Sequence, residues 1–240
     1  MKRHIPNFLT CCNLLCGSLG ILSLFNFGIP DADSPLTFSS LFPTAFFVWA
    51  ACVFDFFDGF AARVLKVSSP IGKELDSLAD MVSFGLLPSL FMFTFIRQQS
   101  LYLNASWATY LPFAALLIVV CSALRLAIFN LDETQKDSFR GVPTPANALF
   151  LTGLPFLTFP VAAPLLSPWG LVIISIVFSL LLVSKFELFA LKFKNFRWAE
   201  NKLRFTFLIL AVLLLATLYQ AAIPLIILLY IGLSLGVRSK

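Results

Sequence analysis

Four aspartates lie close together in a chain that is otherwise strongly apolar. Asp55 and Asp58 are three residues apart and Asp76 and Asp80 are four apart, so each pair shares one face if both segments are helical. A charged side chain at the depth of a bilayer costs about 2.5–3.5 kcal/mol, so four of them are expected to face a polar cavity or to bind cations. The pattern predicts that the aspartates form the active site.

The chemistry of these side chains favours hard divalent metal ions. Carboxylate oxygens suit Mg²⁺, Mn²⁺ or Ca²⁺, whereas zinc or copper would favour histidine or cysteine ligands. Four carboxylates can hold two such ions about 3.5–4 Å apart, an arrangement that clamps the attacking and leaving oxygens of a phosphoryl displacement. We therefore expect two Mg²⁺ or Mn²⁺ ions at the four aspartates, and a diphosphate substrate.

The elements that position these carboxylates are predicted to be membrane helices. The chain is 59% apolar and only 12% charged, whereas soluble domains carry about 25% charged residues. We count eight apolar stretches of about 20 residues, the length that spans a bilayer, although clustered prolines between 155 and 168 leave six or seven spans open. The predicted fold class is an all-α, polytopic membrane helical bundle with about eight transmembrane helices, at about 8–28, 40–62, 75–97, 108–131, 144–165, 168–185, 203–219 and 220–236.

Basic residues predict the orientation, because Lys and Arg accumulate in cytoplasmic loops. With eight spans and both termini cytoplasmic, sixteen of the seventeen basic residues lie inside, and only Arg97 lies outside. All four aspartates then lie at the cytoplasmic end of the bundle. We expect a multi-pass protein of a bacterial inner membrane whose active site faces the cytoplasm.

The organisation is predicted to be one integral membrane domain over residues 1–240. It comprises a catalytic core at about 5–185 and a C-terminal helical hairpin at about 203–236. The apolar run after the N-terminal MKRH is interpreted as a retained first span, because it is too long for a signal peptide. The stretch 186–202 is interpreted as an interfacial amphipathic segment. The net charge of +5 suits an anionic leaflet and phosphate-bearing substrates, and nucleic acid is not an expected partner.

Eight residues around the aspartates form a pattern with fixed gaps, D-x2-D-G-x2-A-R-x8-G-x3-D-x3-D, and every position is filled. The pattern resembles the signature of the CDP-alcohol phosphatidyltransferases, membrane enzymes that transfer a phosphatidyl or related group from a CDP-linked donor to a hydroxyl and release CMP. The alternative is that these aspartates only solvate a helix end or pair with nearby basic residues. The motif positions are Asp55, Asp58, Gly59, Ala62, Arg63, Gly72, Asp76 and Asp80.

The resemblance implies a role for each motif position. Asp55, Asp58 and Asp76 would be the core metal ligands, and Asp80 would approach the second metal and act as the general base on the acceptor hydroxyl. Glycine lacks a Cβ and allows close approach of a nucleotide, and arginine offers a fork of donors to a phosphate. The residues implied to hold CDP and its diphosphate are Gly59, Ala62, Arg63 and Gly72.

A polar stripe on the first span accompanies this motif. Asn7, Thr10 and Asn13 recur at helical spacing near the cytoplasmic end. The stripe either contacts the nucleotide or donates hydrogen bonds to a neighbouring helix. We include Asn13 among the candidate CDP-binding residues.

Flanking segments suggest which alcohol accepts the group. Residues 5–17, 75–89, 123–130 and 139–148 resemble the serine O-phosphatidyltransferase branch of the family, with one departure at Ile128, where that branch usually has Arg. This resemblance implies CDP-diacylglycerol and L-serine as substrates, and a homodimer in the lipid membrane. Serine needs a cation for its carboxylate, and Arg125 and Arg140 are the candidates, although either fits an ordinary cytoplasmic charge. Ser83 lies one turn beyond Asp80 and either lines the acceptor pocket or packs between helices.

Three other functions fit parts of the pattern. The same chemistry with glycerol 3-phosphate or inositol as acceptor would use the same aspartates. An intramembrane prenyltransferase also uses Mg²⁺ and a diphosphate, but its aspartate motifs lie far apart in sequence. A cation-coupled transporter would place its acidic residues near the middle of the membrane. Release of CMP distinguishes the first function from the other two.

Overall fold

A computed structural model of the chain describes residues 4–27, 38–67, 69–103, 105–131, 138–189 and 198–238. Nearly all of these residues are helical, so the predicted all-α fold class is confirmed. The elements are α1 (His4–Phe27), α2 (Phe38–Leu65), α3 (Pro70–Asp80), a π-helical turn (Met81–Leu86), α4 (Leu87–Ser100), α5 (Leu116–Leu131), β1 (Ser138–Arg140), α6 (Thr144–Gly153), α7 (Pro168–Val183), β2 (Glu187–Phe189), α8 (Trp198–Leu218) and α9 (Ala222–Arg238). Short 3₁₀ segments cover Leu101–Leu103, Ser106–Ala115, Leu154–Phe156, Pro160–Ala162 and Tyr219–Ala221.

The helix that carries the second aspartate pair begins at a well-formed cap. The Ser69 side chain accepts a hydrogen bond from the Gly72 N–H, and Pro70 occupies the first helical position, where its missing N–H is not needed. From there α3, the π-helical turn and α4 run on without a break as one apolar helix of 34 residues, Pro70–Leu103. The aspartates are therefore rigidly linked to a membrane-spanning element.

The π-helical turn begins directly after Asp80 and packs against α1. A Cβ on Gly17 would collide with the Ser83 hydroxyl, so this crossing needs glycine. The Ser83 hydroxyl also donates to the Asn13 carbonyl, at 3.0 Å. π-helical turns within α-helices occur frequently at functional sites, and this one fixes the position of Asp80 relative to α1.

The hydrophobic core lies among α4, α5, α6 and α7. Phe91, Met92, Ile118 and Leu151 are fully buried there. Many large apolar side chains elsewhere are exposed on the helix surfaces, as expected of a protein whose helices face lipid. Within the described residues, five helices are long and apolar enough to cross a membrane, namely His4–Phe25, Leu41–Leu65, Pro70–Leu103, Ser106–Leu131 and Asn201–Gly236, and Pro168–Val183 is a shorter apolar helix.

The last of these apolar segments folds back on itself. Tyr219 has a φ of 50°, which interrupts the helix between α8 and α9. Phe207 precedes this turn in sequence and Tyr230 follows it, yet their ring centroids are only 5.7 Å apart. The two helices therefore run antiparallel. The predicted count of eight spans and the cytoplasmic termini stay predictions.

The predicted fifth span, 144–165, is not a continuous helix. Helix α6 ends at Gly153, and 3₁₀ turns follow. Proline lacks an N–H donor and clashes with the preceding turn. Pro155, Pro160 and Pro164 therefore prevent a regular helix across this stretch.

A two-stranded antiparallel sheet joins β1 to β2, with Arg140 opposite Glu187. The sequence predicts only helices here. Gly141 follows β1 with a φ of +72° and donates to the Phe186 carbonyl at 2.8 Å, and a Cβ on this residue would collide with the Leu182 carbonyl. Arg140 is thereby held beside the C-terminal end of α7. Of the predicted interfacial segment 186–202, residues 190–197 lie outside the described residues.

Candidate active site

The aspartates of α2 and α3 converge on one point. Asp55, Asp76 and Asp80 each place a carboxylate oxygen within 4.8 Å of the others. Asp80 is 9% exposed, and Asp76 Oδ1 is buried with no hydrogen-bond partner among the described residues. Like charges at this distance repel one another, so the cluster fits a cation. Its donor set of carboxylate oxygens fits Mg²⁺ or Mn²⁺.

Asp58, which the motif groups with these three, has a different immediate neighbour. Its Oδ2 accepts a hydrogen bond of 2.8 Å from the Thr10 hydroxyl on α1. The structure therefore brings three of the four predicted metal ligands into one cluster and places Asp58 beside it, where it lines a cavity together with Asp76.

Asp80 is oriented by α1. The Asn13 side-chain amide donates to Asp80 Oδ1 at 3.1 Å, and Asn13 is fully buried. Thr10 and Asn13 thus donate hydrogen bonds to neighbouring helices, one of the two interpretations that their spacing leaves open. The Ser83 hydroxyl, predicted to line the acceptor pocket or to pack between helices, donates to the Asn13 carbonyl.

A cavity of about 260 Å³ opens beside the carboxylates. A Cβ on Gly59 would meet no atom within 4 Å, so this glycine leaves open space. A Cβ on Gly72 would lie 2.9 Å from Ser69 Oγ and 3.0 Å from Asn7 Oδ1, so that glycine permits a close crossing. The lining residues are Pro6, Asn7, Thr10, Asp58, Gly59, Ala62, Val67, Ser69, Gly72, Lys73 and Asp76.

Arg63 and Lys73 differ in their position relative to this cavity. Arg63, a predicted phosphate ligand, is exposed and lies outside the lining of the cavity. Lys73 lines the cavity, and its ammonium donates to the Asn130 carbonyl on α5 at 2.9 Å. The Asn130 side chain donates to the Ser77 hydroxyl at 2.8 Å, which ties α3 to the end of α5. Motif spacing does not reveal Lys73, because it lies between two motif positions.

A second, smaller cavity of about 160 Å³ brings the two predicted acceptor-binding arginines together. Arg125 is 8% exposed, lies 5.7 Å from the Phe129 ring centroid and feels the charge of Asp80. Lys185 adds a third cation that sequence reasoning missed, because its segment meets the segment of Arg140 only in three dimensions, through the β1–β2 pairing and adjacent backbone hydrogen bonds. The lining residues are Arg125, Ile128, Phe129, Arg140, Leu182, Val183, Ser184 and Lys185.

The carboxylate cluster thus has neighbouring cavities of distinct chemistry. The first cavity is lined by carboxylates and Lys73 and has open space beside Gly59, so it suits a metal-bound polyphosphate. The second is cationic and suits a small anion such as a carboxylate or a phosphate. Arg125, which lines the second cavity, lies within electrostatic range of Asp80. The arrangement can bind an anionic acceptor and a diphosphate donor in two separate cavities near the carboxylates.

Known proteins resemble this chain over most of its length. A model of the CDP-alcohol phosphatidyltransferase family matches residues 3–190. A CDP-diacylglycerol–serine O-phosphatidyltransferase of Bacillus subtilis (strain 168) is 34% identical over 163 residues, which is 66% of this chain and 79% of that protein.

Two further relatives carry the same name. The one from Mycobacterium leprae (strain TN) is 38% identical over 112 residues, which is 44% of this chain and 35% of that protein. The one from Saccharomyces cerevisiae (strain ATCC 204508 / S288c) is 31% identical over 162 residues, which is 64% of this chain and 54% of that protein. The matches thus span about a third of the mycobacterial relative and about half of the yeast relative.

Proposed function

Because this chain belongs to the CDP-alcohol phosphatidyltransferase family, an integral membrane family that depends on divalent metal ions, we propose that it transfers the phosphatidyl group of CDP-diacylglycerol to L-serine. The products are phosphatidylserine and CMP. The observation that carries this proposal is the carboxylate cluster of Asp55, Asp76 and Asp80, with a cavity for a diphosphate beside it and a cationic cavity near Asp80. The names of the relatives support serine as the acceptor.

The donor would occupy the larger cavity. Gly59 leaves room for the nucleotide, and Lys73 supplies a positive charge for the diphosphate. The N-terminus of α3 also opens on this cavity through Ser69 and Gly72, and the dipole of a helix attracts phosphate to its N-terminus. These features bind and orient the diphosphate next to the carboxylates.

Asp55, Asp76 and Asp80, assisted by Asp58, would hold the divalent ions, which we propose to be two Mg²⁺ or Mn²⁺ ions. When bound, such ions neutralise the diphosphate and stabilise CMP as a leaving group. The buried Asp76 Oδ1, which has no partner among the described residues, supports a role as a ligand.

Asp80 is proposed to act as the general base. Asn13 holds its Oδ1, so the other carboxylate oxygen is left for the acceptor hydroxyl. The serine oxygen forms a bond to the phosphorus of the phosphatidyl group, and the bond from that phosphorus to the bridging oxygen of CMP breaks. The serine proton moves to Asp80, and the electron pair of the broken bond leaves with CMP.

The cationic cavity would bind the carboxylate of serine. Arg125 is buried and near Asp80, whereas Arg140 and Lys185 line the same cavity from the β1–β2 region. Three cations also suit the phosphate of glycerol 3-phosphate, which makes that alcohol the second candidate acceptor.

We also propose a location and an oligomeric state for the enzyme. The distribution of basic residues supports an active site that faces the cytoplasm of a bacterial inner membrane. A homodimer in the lipid membrane is proposed from the resemblance to the family.

The decisive experiment measures CMP release by purified protein with CDP-diacylglycerol and Mg²⁺. Serine, glycerol 3-phosphate and inositol are compared as acceptors. We expect serine to give the highest kcat/KM and phosphatidylserine as the lipid product. Preference for another acceptor would refute serine, and no CMP release with any acceptor would refute the transferase reaction.

A further inference from the structure

A group of buried polar residues lies on α5 and α6, outside the carboxylate cluster. Thr144 and Asn147 are both 0% exposed, and Ser122 is also fully buried. Five side-chain atoms of this group have no hydrogen-bond partner among the described residues, namely Ser122 Oγ, Arg125 Nε, Thr144 Oγ1, Asn147 Oδ1 and Asn147 Nδ2. Roughly nine in ten buried polar groups in proteins are hydrogen-bonded, so such a concentration calls for a ligand.

The spacing and packing of these residues direct them toward the active site. Ser122 and Arg125 are three residues apart on α5, and Thr144 and Asn147 are three apart on α6, so each pair shares a face. Both helices contact each other and the π-helical turn that follows Asp80. The group therefore lies on helices that pack against the turn directly after the proposed general base.

Three local observations agree with that placement. A Cβ on Gly85 in the π-helical turn would lie 3.2 Å from the Ser122 Cβ. Ala148, the neighbour of Asn147, packs in one cluster with Phe84 of the same turn. Arg125 feels the charge of Asp80.

Other buried hydroxyls of the chain satisfy themselves within their own helix. The hydroxyls of Thr152 and Ser175 donate to the carbonyl four residues earlier, at 2.7 and 2.8 Å. Ser122 makes no such bond, although it lies within α5, and Thr144 opens α6 and has no preceding helical turn. Their hydroxyls remain available to a ligand.

The available atoms match a zwitterionic amino acid. A carboxylate accepts hydrogen bonds and pairs with a guanidinium, whereas an ammonium donates three and needs oxygen acceptors. The Asn147 amide oxygen and the two hydroxyls are such acceptors. An ammonium is positively charged and can donate to three acceptors at once, whereas each hydroxyl of glycerol 3-phosphate or inositol is neutral and donates a single hydrogen bond.

We propose that Ser122, Thr144 and Asn147 determine acceptor specificity by binding the α-ammonium group of an amino-acid acceptor. Arg125 holds the carboxylate of the same molecule. The inference rests on the proposed function and deepens it, because it assigns the selection of an amino acid over other alcohols to residues outside the motif.

The test compares L-serine with 3-hydroxypropionate, which lacks only the amino group, as acceptors for the purified enzyme with CDP-diacylglycerol and Mg²⁺. Asn147→Leu and Thr144→Val should each raise the KM for serine about 10- to 150-fold, as expected for a lost hydrogen bond to a charged group. The KM for 3-hydroxypropionate and for CDP-diacylglycerol should stay unchanged. The matched controls are Thr152→Val and Ser175→Ala, whose hydroxyls are already paired, and they should keep the wild-type preference.

A stability measurement separates recognition from folding. Thr144→Val removes a buried hydroxyl that has no partner, so the melting temperature of the variant should not fall. Serine should raise the melting temperature of the wild-type protein but not that of either variant.

Unchanged discrimination between serine and 3-hydroxypropionate in both variants would overturn the inference. So would equal losses with both acceptors accompanied by a lower melting temperature, which would indicate a structural role. If the wild-type enzyme uses no serine and prefers another acceptor, the proposed function itself fails. The two failures are therefore distinguishable.

Discussion

The proposed donor side and the proposed acceptor side of the active site differ in how their polar groups are satisfied. Around the aspartates, Thr10 donates to Asp58, Asn13 donates to Asp80, and Lys73 donates to the end of α5. On α5 and α6, Thr144 and Asn147 are buried with no partners among the described residues. The aspartate region is held by hydrogen bonds from neighbouring helices and leaves Asp76 Oδ1 unpaired, whereas the group on α5 and α6 presents several unpaired donors and acceptors among the described residues.

This difference suggests how members of one enzyme family can share a reaction and yet use different acceptors. The hydrogen bonds from α1 to Asp58 and Asp80 form without substrate and would hold these two carboxylates in place, which would avoid reorganisation during the reaction. Buried polar atoms without partners penalise any acceptor that fails to match them, which gives strong discrimination. On our proposals, the catalytic carboxylates lie on α2 and α3, and the residues that select the acceptor lie on α5 and α6.

The largest expected effect is loss of the carboxylates. Asp55→Asn, Asp58→Asn, Asp76→Asn and Asp80→Asn should each lower CMP release at least 100-fold, about 2.7 kcal/mol of transition-state stabilisation. EDTA should abolish activity, and Mg²⁺ or Mn²⁺ should restore it. Glu74→Gln is the matched control, because Glu74 is an exposed carboxylate on the same helix. Full activity in EDTA, or normal rates in two of these aspartate variants, would contradict the metal site.

The next effect concerns the cationic cavity. If Arg125 or Arg140 holds the carboxylate of serine, its replacement by Ala should raise the KM for serine about 10- to 150-fold and leave that for CDP-diacylglycerol nearly constant. Arg97→Ala, at the opposite end of the chain's long helix, serves as the control. Equal changes for both substrates would break the division into a donor and an acceptor side.

Orientation of Asp80 should have a smaller effect on catalysis. Asn13→Ala removes the hydrogen bond to Asp80 Oδ1, and we expect kcat to fall roughly tenfold, the value of one charged hydrogen bond. The KM for serine should change little, because Asn13 lies on the donor side. Steady-state kinetics with both substrates checks this, and a change in the serine KM alone would assign Asn13 to the acceptor side.

Two glycines of the donor cavity provide a subtler comparison. Gly59→Ala places a methyl group in open space, so it should raise the KM for CDP-diacylglycerol without changing the melting temperature. Gly72→Ala crowds Ser69 and Asn7 and should lower the free energy of unfolding by about 1–3 kcal/mol. Thermal unfolding and donor kinetics on the two variants test this. Identical behaviour of the two would mean that the cavity is not the donor site.

Topology provides the last test, because both cavities should open on the same side of the membrane. Cysteines placed at Lys66 and Lys185, both exposed near the donor and acceptor cavities, should be labelled by an impermeant reagent from the cytoplasm. A cysteine at Tyr102 should be labelled only from the opposite side. The wild-type protein with its five native cysteines gives the background. Labelling of Lys66 and Lys185 variants from different sides would refute the predicted orientation.

Much of the donor side could be predicted from the sequence, because most of its residues lie within the short motif. The spacing of Asp76 and Asp80 indicates one helical face, and the structure brings both together with Asp55. The partner of Asp58 could not be predicted, because Thr10 lies 48 residues away and periodicity describes only one helix at a time.

The acceptor side was much harder to predict. Lys185 and Arg140 line one cavity because β1 pairs with β2, and these strands of three residues each are too short to produce a recognisable pattern. Thr144 and Asn147 lie in a segment that resembles an ordinary apolar span, and only three-dimensional packing shows that their polar atoms lack partners. The exposure of Arg63 likewise depends on how α2 ends, which its position in the motif does not indicate.

The π-helical turn after Asp80 sets a rotational phase between the catalytic half of the long helix and its membrane-embedded half. A regular helix advances about 100° per residue, and a π-helical turn accommodates one additional residue. If Met81–Leu86 instead formed a regular α-helix of the same length, the aspartate-bearing face of α3 would rotate by roughly a quarter of a turn relative to α4. Such a protein would keep its motif and its apolar spans yet lose its catalytic geometry, so the six residues that follow Asp80 constrain the enzyme as strictly as the motif does.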